Sequence, residues 1–529
     1  MQNYARPVLA LAAMATAFAA GSATAQEPQR GGTLVFAIAA EPPTYDCHGT
    51  QTFAVLQRVA PHYSTLLRFE PGKYPNVVPD AAESWSAAPD QMTFTFKLRP
   101  NVKFHDGSTL TSEDVKATYE HIGNPPAGVI SNRKDSLAKI AAIETPDPLT
   151  VVFKMKEIDA SIVNGAFASP WNCIYSAAKL KQDPNFPVKN VMGTGPFKFV
   201  EHVAGSHWTG ERFADYFLKG KPYLDGFRAV TTSAVASQNA LSGRQVMAEF
   251  RGFSPSERDR IVGNLGKEAN VQESPWLLHM DISFNPQRKP FDDVRVRRAL
   301  SLGLDRWSGA EALGKITNLR HVGGVMLPGG EWAASKEELE KYPGFGRDMA
   351  ANRAEAKRLL KEAGHESLTL TLTNRNIAPY PAMGVFVIDQ WRQIGVKVEH
   401  QQLETAAWVT AFSSQNFDAV VDSYTDYSDD PTTGLVKFLS ADRWSTASNK
   451  FDDTKLNELY LAQARTTDTT ERKKFIRAFE KITLEEANTI PIFWWHRIVV
   501  TNQRVKGWTM SPSHMIYQTL EDVWLGPEG

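Results

Sequence analysis

An excess of positive charge is missing from this chain. Lys and Arg number 58 against 59 Asp and Glu, a net charge of -1 over 529 residues. Nucleic-acid binding calls for a basic stripe, so this balance argues against such a partner. Cysteine is nearly absent, with only Cys47 and Cys173. Two cysteines allow at most one bridge, and their separation neither supports nor forbids it. The plainer alternative is two separate buried thiols. Catalytic signatures are also missing. There is no H-E-x-x-H and no G-x-S-x-G. The twelve histidines show no zinc spacing. Gly309 to Lys315 fits G-x4-G-K, but Ile316 stands where the Mg²⁺-binding Ser or Thr belongs, and the segment continues a helical pattern. Gly193-Thr194-Gly195-Pro196 runs into a strand and lacks the third glycine of a dinucleotide fingerprint. His105-Asp106-Gly107 is turn chemistry. Low-complexity segments, repeats and long linkers are likewise lacking.

What is present begins with an apolar run from Val8 to Ala20 behind Arg6, followed by Ala23-Thr24-Ala25. This reads as a secretory signal cleaved after Ala25, leaving a soluble periplasmic protein. The run is short and Ala-rich for a membrane span. About 500 residues remain, beyond the size at which one core stops growing, so at least two lobes are expected.

Periodicity predicts the elements. A strand is expected over Thr33–Ile38, ended by Pro42 and Pro43. Met92, Phe94, Phe96 and Leu98 alternate with polar residues, which marks a half-buried hairpin strand. Thr111 caps a helix through a T-x-x-D box. Asp292 and Asp293 precede a helix whose Val296, Leu300 and Leu304 share a face. From about residue 350 helices and strands alternate, with Gly364 closing one helix and SLTLTLT, VKVEHQQ and FDAVV as strands. A long C-terminal helix carries Phe475, Phe479 and Ile482, and the strand IPIFWW follows. With no flexible tether, short paired crossings near Ser283–Pro286 and Trp495–Thr501 are expected to form a hinge.

The block PDAAESWSAAPDQMTFTFKLRPNVKFHDG (79–107), its following helix, GTGPFKF and FNPQRKPFDDVRVRRALSLGLDR together resemble the family 5 extracellular solute-binding proteins. The resemblance covers roughly residues 31–525 and rests on scaffold motifs. It implies an α/β, two-lobed type II periplasmic-binding-protein fold of the cluster C type, with an extra β-rich subdomain in the first lobe. The implied divisions are a signal peptide 1–25, lobe I over 26–284 with an insertion at about 80–195, lobe II over 285–500, and a return to lobe I over 501–529. The implied role is capture of a small solute by hinge closure and delivery to ABC transporter permease subunits in the inner membrane. The protein would act as a monomer, without enzyme activity, cofactor or resident metal.

Candidate ligand contacts follow. SYTDYSDDP (423–431) lies at a strand's C-terminal end, where open α/β sheets place ligands. The resemblance sets Tyr424 at an aromatic position and Asp426 at the acid that receives a peptide ammonium, with Tyr427 beside it. One extra residue, Ser428 or Asp429, is inserted before Asp430-Pro431. A solvated acidic loop, or a calcium site built from Asp422, Asp426, Asp429 and Asp430, is the competing reading. Arg375 ends another strand, and its guanidinium suits a carboxylate. Tyr45, Cys47 and His48 fall in a loop that faces ligand in the resembling family, and Trp171 is a further candidate. A short peptide leads among ligands. An oligosaccharide, an opine-like solute and a nickel or other metal chelate remain open, and a secreted hydrolase is the rival class.

Overall fold

The computed structural model describes residues 27–440 and 451–528; the leader expected over 1–25 lies outside them. Among these residues no helix is long and apolar enough to cross a membrane.

Two unusually long strands organise the molecule. Ala269–Phe284 and Thr489–Asn502 pair antiparallel along nearly their whole length and sit in the middle of an 11-stranded sheet. On one side the sheet continues through Ala419–Thr425, Thr369–Arg375 and Lys397–Leu403, joined to one another in parallel. On the other side it continues through Ala248–Glu249, Thr33–Ile38, Gly226–Thr231, His207–Arg212 and Phe197–Val203. Each end has its own apolar core, so the sheet is shared by two lobes. Met280, Leu300, Leu372 and Trp391 belong to the core of the second, and Leu34, Phe36, Trp208 and Phe227 to a core of the first. A separate four-stranded antiparallel sheet, Ala82–Ala87, Thr93–Leu98, Thr150–Met155 and Ile140–Asp147, forms the β-rich subdomain of the first lobe.

Sheet partners change partway along the long strands. Ala269–Pro275 pair only with Asn502–His496, whereas Leu278–Phe284 lie between Ala419–Thr425 and the start of the other long strand. The register shifts between Pro275 and His279. The strand therefore still belongs to the second lobe's sheet at Ser283, and the partner change lies upstream of the crossing expected at Ser283–Pro286.

The scaffold motifs have packing explanations. A Cβ on Gly193 would meet the His62 carbonyl at 2.3 Å, and one on Gly195 would meet the Tyr63 nitrogen at 2.4 Å, so GTGP lets two backbones touch. The KFHDG turn, with Gly107 at φ +89°, docks on the same place: the His105 amide donates to the Gly193 carbonyl. Thr111 and Asp114 form the expected capping box. Asp293 caps Val294–Leu302 through the Arg295 amide, and Val296, Leu300 and Leu304 are buried. The helix Thr469–Glu486 is rotated from the expected stripe. Ile476, Phe479 and Thr483 are buried because Thr454–Arg465 packs beside it, while Phe475 and Ile482 are only partly covered.

Cys47 and Cys173 form a disulfide, so the two-thiol alternative falls. The C-terminal tail, which has no sequence period, is mostly buried; Trp508, Leu520, Val523 and Leu525 join the first lobe's core.

Candidate functional site

The candidate residues of the second lobe gather where the parallel strands Thr369–Arg375 and Ala419–Thr425 end. Arg375 donates from Nη2 to Asp422 Oδ1 at 3.1 Å, and its guanidinium lies over the Trp408 ring at 4.1 Å and the Tyr380 ring at 5.1 Å. It is thus paired and clamped within its own lobe. Beside it the Tyr380 and Ser423 hydroxyls are 2.6 Å apart. Asp422 sits opposite Asp281 in the sheet register. Burial pushes the Asp422 carboxyl up to about 6 against the pull of Arg375. Asp281 is neutralised by Lys437, a buried ammonium 2.5 Å away, and His279 Nδ1 is 2.7 Å from the same carboxylate.

Asp426 differs from these acids. Its Oδ1 accepts from the Tyr427 amide at 2.6 Å, and its Oδ2 lies 3.3 Å from the Tyr424 hydroxyl. Tyr424 itself donates to the Thr433 carbonyl at 2.7 Å, and the Lys437 ammonium lies 4.7 Å from its ring centre. Among the described residues no side-chain cation pairs with Asp426. Burial pushes its carboxyl up to about 6; the more distant Arg133 acts in the opposite direction.

Arg133 comes from the first lobe, and sequence reasoning passed it over. It donates to the carbonyls of Cys47 and Thr50, at 3.2 and 2.8 Å, and lies over the Trp171 ring at 4.4 Å. Trp171 is therefore buried beneath a cation. Cys47 is in the disulfide and has no free thiol. His48 is fully buried, with Nδ1 3.1 Å from His121 Nδ1 and Nε2 3.1 Å from the Cys173 carbonyl; burial lowers it to about 3. Tyr45 turns its hydroxyl to His202 Nδ1 at 2.7 Å, and its ring meets Trp208 edge-on at 4.9 Å. The structure thus brings Tyr424, Asp426 and Tyr427 together in one strand-end loop, while Arg375 is held by Asp422 at the end of the neighbouring strand. Tyr45 and His48 are engaged inside the first lobe.

Three of the four acids of the calcium reading are committed separately. Asp422 holds Arg375, Asp429 accepts from the Tyr74 hydroxyl at 2.5 Å, and Asp430 pairs with buried Arg472 at 2.8 Å. Among the described residues no group of three or more His, Cys, Asp or Glu is placed to hold a metal.

The same loop carries the contacts between lobes. Tyr427 joins the apolar cluster of the first lobe that also holds Phe53, Trp171 and Met515, and its hydroxyl donates to the Gly165 carbonyl at 2.5 Å. Tyr74 of the first lobe both donates to the Asp429 carboxylate and accepts from the Asp429 amide at 2.8 Å. Ser513 donates to the Asp426 carbonyl at 2.9 Å.

Two lobes sharing one sheet, with polar side chains gathered at the strand ends between them, define a type II solute-binding protein. The model of bacterial extracellular solute-binding proteins, family 5, matches residues 76–446, and the chain belongs to that family. It is the substrate-binding component of an ABC importer and not an enzyme. Among curated relatives, the glutathione-binding protein GsiB of Pectobacterium atrosepticum is 32% identical over 323 residues, covering 60% of this chain and 59% of that protein. The chain thus spans under two thirds of that relative. GsiB of Escherichia coli K12 is 26% identical over 453 residues, covering 82% and 83%. Among solved structures, DppA of Helicobacter pylori with the peptide STSA superposes with a TM-score of 0.79 at 22% identity, covering 94% and 98%. AgaA of A. tumefacien R10 with agropinic acid gives 0.78 at 26%, covering 94% and 99%.

Proposed function

We propose that this protein captures a short peptide-like solute of the size of glutathione, with Asp426 receiving its ammonium group. The observation that carries this reading is the Asp426 carboxylate, with which no side-chain cation pairs among the described residues. It is half-buried, accepts from a backbone amide and lies beside the Tyr424 hydroxyl, while Asp422, Asp281 and Asp430 are each met by a cation and Asp429 by the Tyr74 hydroxyl. A buried carboxylate without a counter-charge is costly, and a ligand ammonium supplies that charge. The GsiB relatives support a peptide-like cargo. The likeness to AgaA supports an opine-like solute as the second reading.

In this reading residues 26–284 and 501–529 form lobe I, 285–500 form lobe II, and the lobes close about the stretch where the long strands exchange partners. The mature protein is a periplasmic monomer, released by cleavage after Ala25, and hands its cargo to a membrane permease. Mass spectrometry of solute released by denaturing the protein purified from native periplasm tests the class. A tri- or tetrapeptide or a γ-linked peptide is expected. A sugar or a metal chelate in stoichiometric amount refutes the peptide.

A further inference from the structure

His48 and His121 meet in the interior of the first lobe. His48 lies in the turn after Asp46, and His121 in the last turn of the helix Ser112–Gly123. Both are buried. His48 Nε2 lies 3.1 Å from the Cys173 carbonyl, and His121 Nε2 lies 2.9 Å from the Pro184 carbonyl. Between the rings the two Nδ1 atoms are 3.1 Å apart.

These three contacts fix a proton count. A carbonyl oxygen only accepts, so each Nε2 must carry hydrogen to bond it. A neutral imidazole has one N–H, and both are then used on the carbonyls. The two Nδ1 atoms are left facing each other with lone pairs alone. Moving either proton to Nδ1 mends the centre and sets a bare nitrogen against a carbonyl. Two neutral rings thus bring two protons to three contacts, and one further proton satisfies all three.

A counter-charge is at hand. Asp46 is buried, and among the described residues no side-chain cation pairs with it. Its Oδ1 accepts from the His48 amide at 2.9 Å and from the Tyr175 hydroxyl at 2.7 Å, and the Tyr175 ring lies 4.3 Å from that of His48. Burial pushes His48 toward neutrality, down to about 3, while Asp46 pulls it up; Arg133, which donates to the Cys47 and Thr50 carbonyls, opposes Asp46. Full neutrality still leaves one buried contact unsatisfied, which is itself costly. The other charged groups on the surrounding elements have their own partners or face solvent. Asp114 is bound by Thr111 and the Ala177 amide, Asp183 by the Asn185 amide, Lys179 reaches Asp106, and Lys181 is exposed.

We infer that His48 and His121 share one proton in the folded protein, paired with the Asp46 carboxylate, and that this buried charge is a pH-sensitive lock tying the turn at 46–50 to the helix Ser112–Gly123 and to the segment 173–184. The lock belongs to the first lobe alone and stands whatever the solute is. Free imidazoles titrate near about 6.5, so from pH 7 to pH 9 the unfolded chain lacks a proton that the folded pair holds. The contribution to stability is therefore present near neutrality and is lost as pH rises through the pair's own, raised, value.

Nitrogen NMR of protein labelled at histidine counts the protons, with His121→Gln assigning the pair. At about pH 7 both Nε2 atoms are expected to be protonated and both Nδ1 atoms to lie midway between the protonated and bare forms. A bare ring nitrogen on His48 or His121 at that pH overturns the inference. Urea unfolding gives the second reading. A glutamine amide has two N–H groups, one for the Pro184 carbonyl and one for His48 Nδ1, so His121→Gln should fold with His48 neutral. Between pH 7 and pH 9 the unfolding equilibrium constant of the wild type should rise at least about threefold more than that of His121→Gln. Asp46→Asn keeps an acceptor for the His48 amide and Tyr175 but removes the charge, so its rise should begin at lower pH. Equal pH dependence in the three proteins also overturns the inference. If His121→Gln fails to fold, Asp46→Asn and the wild-type nitrogen spectrum decide it.

Discussion

If a ligand ammonium sits on Asp426, binding must expel a proton at mildly acid pH. Burial holds this carboxyl at about 6. A cation in contact returns it toward its ordinary value of about 3.9, a shift of about two units and about 3 kcal/mol of coupling. Only the ionised form attracts the ligand. Linking the two values makes binding about ninefold weaker at pH 5 than at pH 7, and about fiftyfold weaker at pH 4. The protons released are about 0.8 per ligand at pH 5 and about 0.1 at pH 7. A peptide α-carboxyl, near 3.5, stays ionised over most of this range. The free protein responds in the opposite sense. A carboxyl whose folded value is raised binds its proton more tightly when folded, so this group's contribution to stability is present below about pH 4 and is lost as pH rises through about 6. The thermal upshift by ligand should therefore be larger at pH 7 than at pH 5. Calorimetry with glutathione in two buffers of different ionisation enthalpy measures the protons directly. Asp426→Asn should abolish the release along with most of the affinity, whereas Asp422→Asn, whose partner Arg375 lies in the same lobe, should retain it. Affinity that is flat from pH 5 to pH 7 with no proton released refutes an ammonium at Asp426.

Replacing both Cys47 and Cys173 by alanine removes a cross-link spanning 126 residues and should cost about 2–4 kcal/mol; urea unfolding checks this, and an unchanged midpoint contradicts it. Tyr74→Phe deletes the interlobe hydrogen bond to the Asp429 carboxylate, of the kind worth about 1.5–3 kcal/mol. Small-angle scattering with saturating ligand should then show a more open average, and an identical radius of gyration would count against that contact as a latch. Arg472→Met strands the buried Asp430 carboxylate and should destabilise by about 3–5 kcal/mol, read as a lowered melting temperature. An unchanged melt would mean Asp430 finds another partner.

Much of the scaffold was legible because its signals are local. The Thr111–Asp114 box, the Asp293 cap and the alternation of Phe94, Phe96 and Leu98 each act within a few residues, and each appears where expected. The strand IPIFWW was read too short. All 14 residues from Thr489 to Asn502 are buried, including His496 and Arg497, which a hydrophobic pattern scores as an end. Arg497 is tolerated there because it serves carbonyls of two distant segments, Phe250–Arg251 and Ser511–Ser513, and no sequence window contains all three. Arg133 was missed for the same reason. It is an ordinary loop arginine until the chain brings Trp171 beneath it. The loop containing Tyr45 and His48 misled in the other direction. Its polar residues find partners inside the first lobe, His202 for one and His121 for the other. The disulfide depends on two segments 126 residues apart and has no local signature.

In the proposed reading, the place of the Asp426 loop explains how capture becomes a signal. The loop follows Ala419–Thr425, which pairs with Leu278–Phe284, whereas Ala269–Pro275 pair only with the other long strand. The same loop bonds to the first lobe through Tyr427 to the Gly165 carbonyl and through Asp429 to Tyr74. A solute that binds open and closed forms alike shifts nothing. If the ammonium on Asp426 orders this loop against the first lobe, one charge-assisted contact of about 1.5–3 kcal/mol made only in the closed form multiplies the closed-to-open ratio by about 10 to 150.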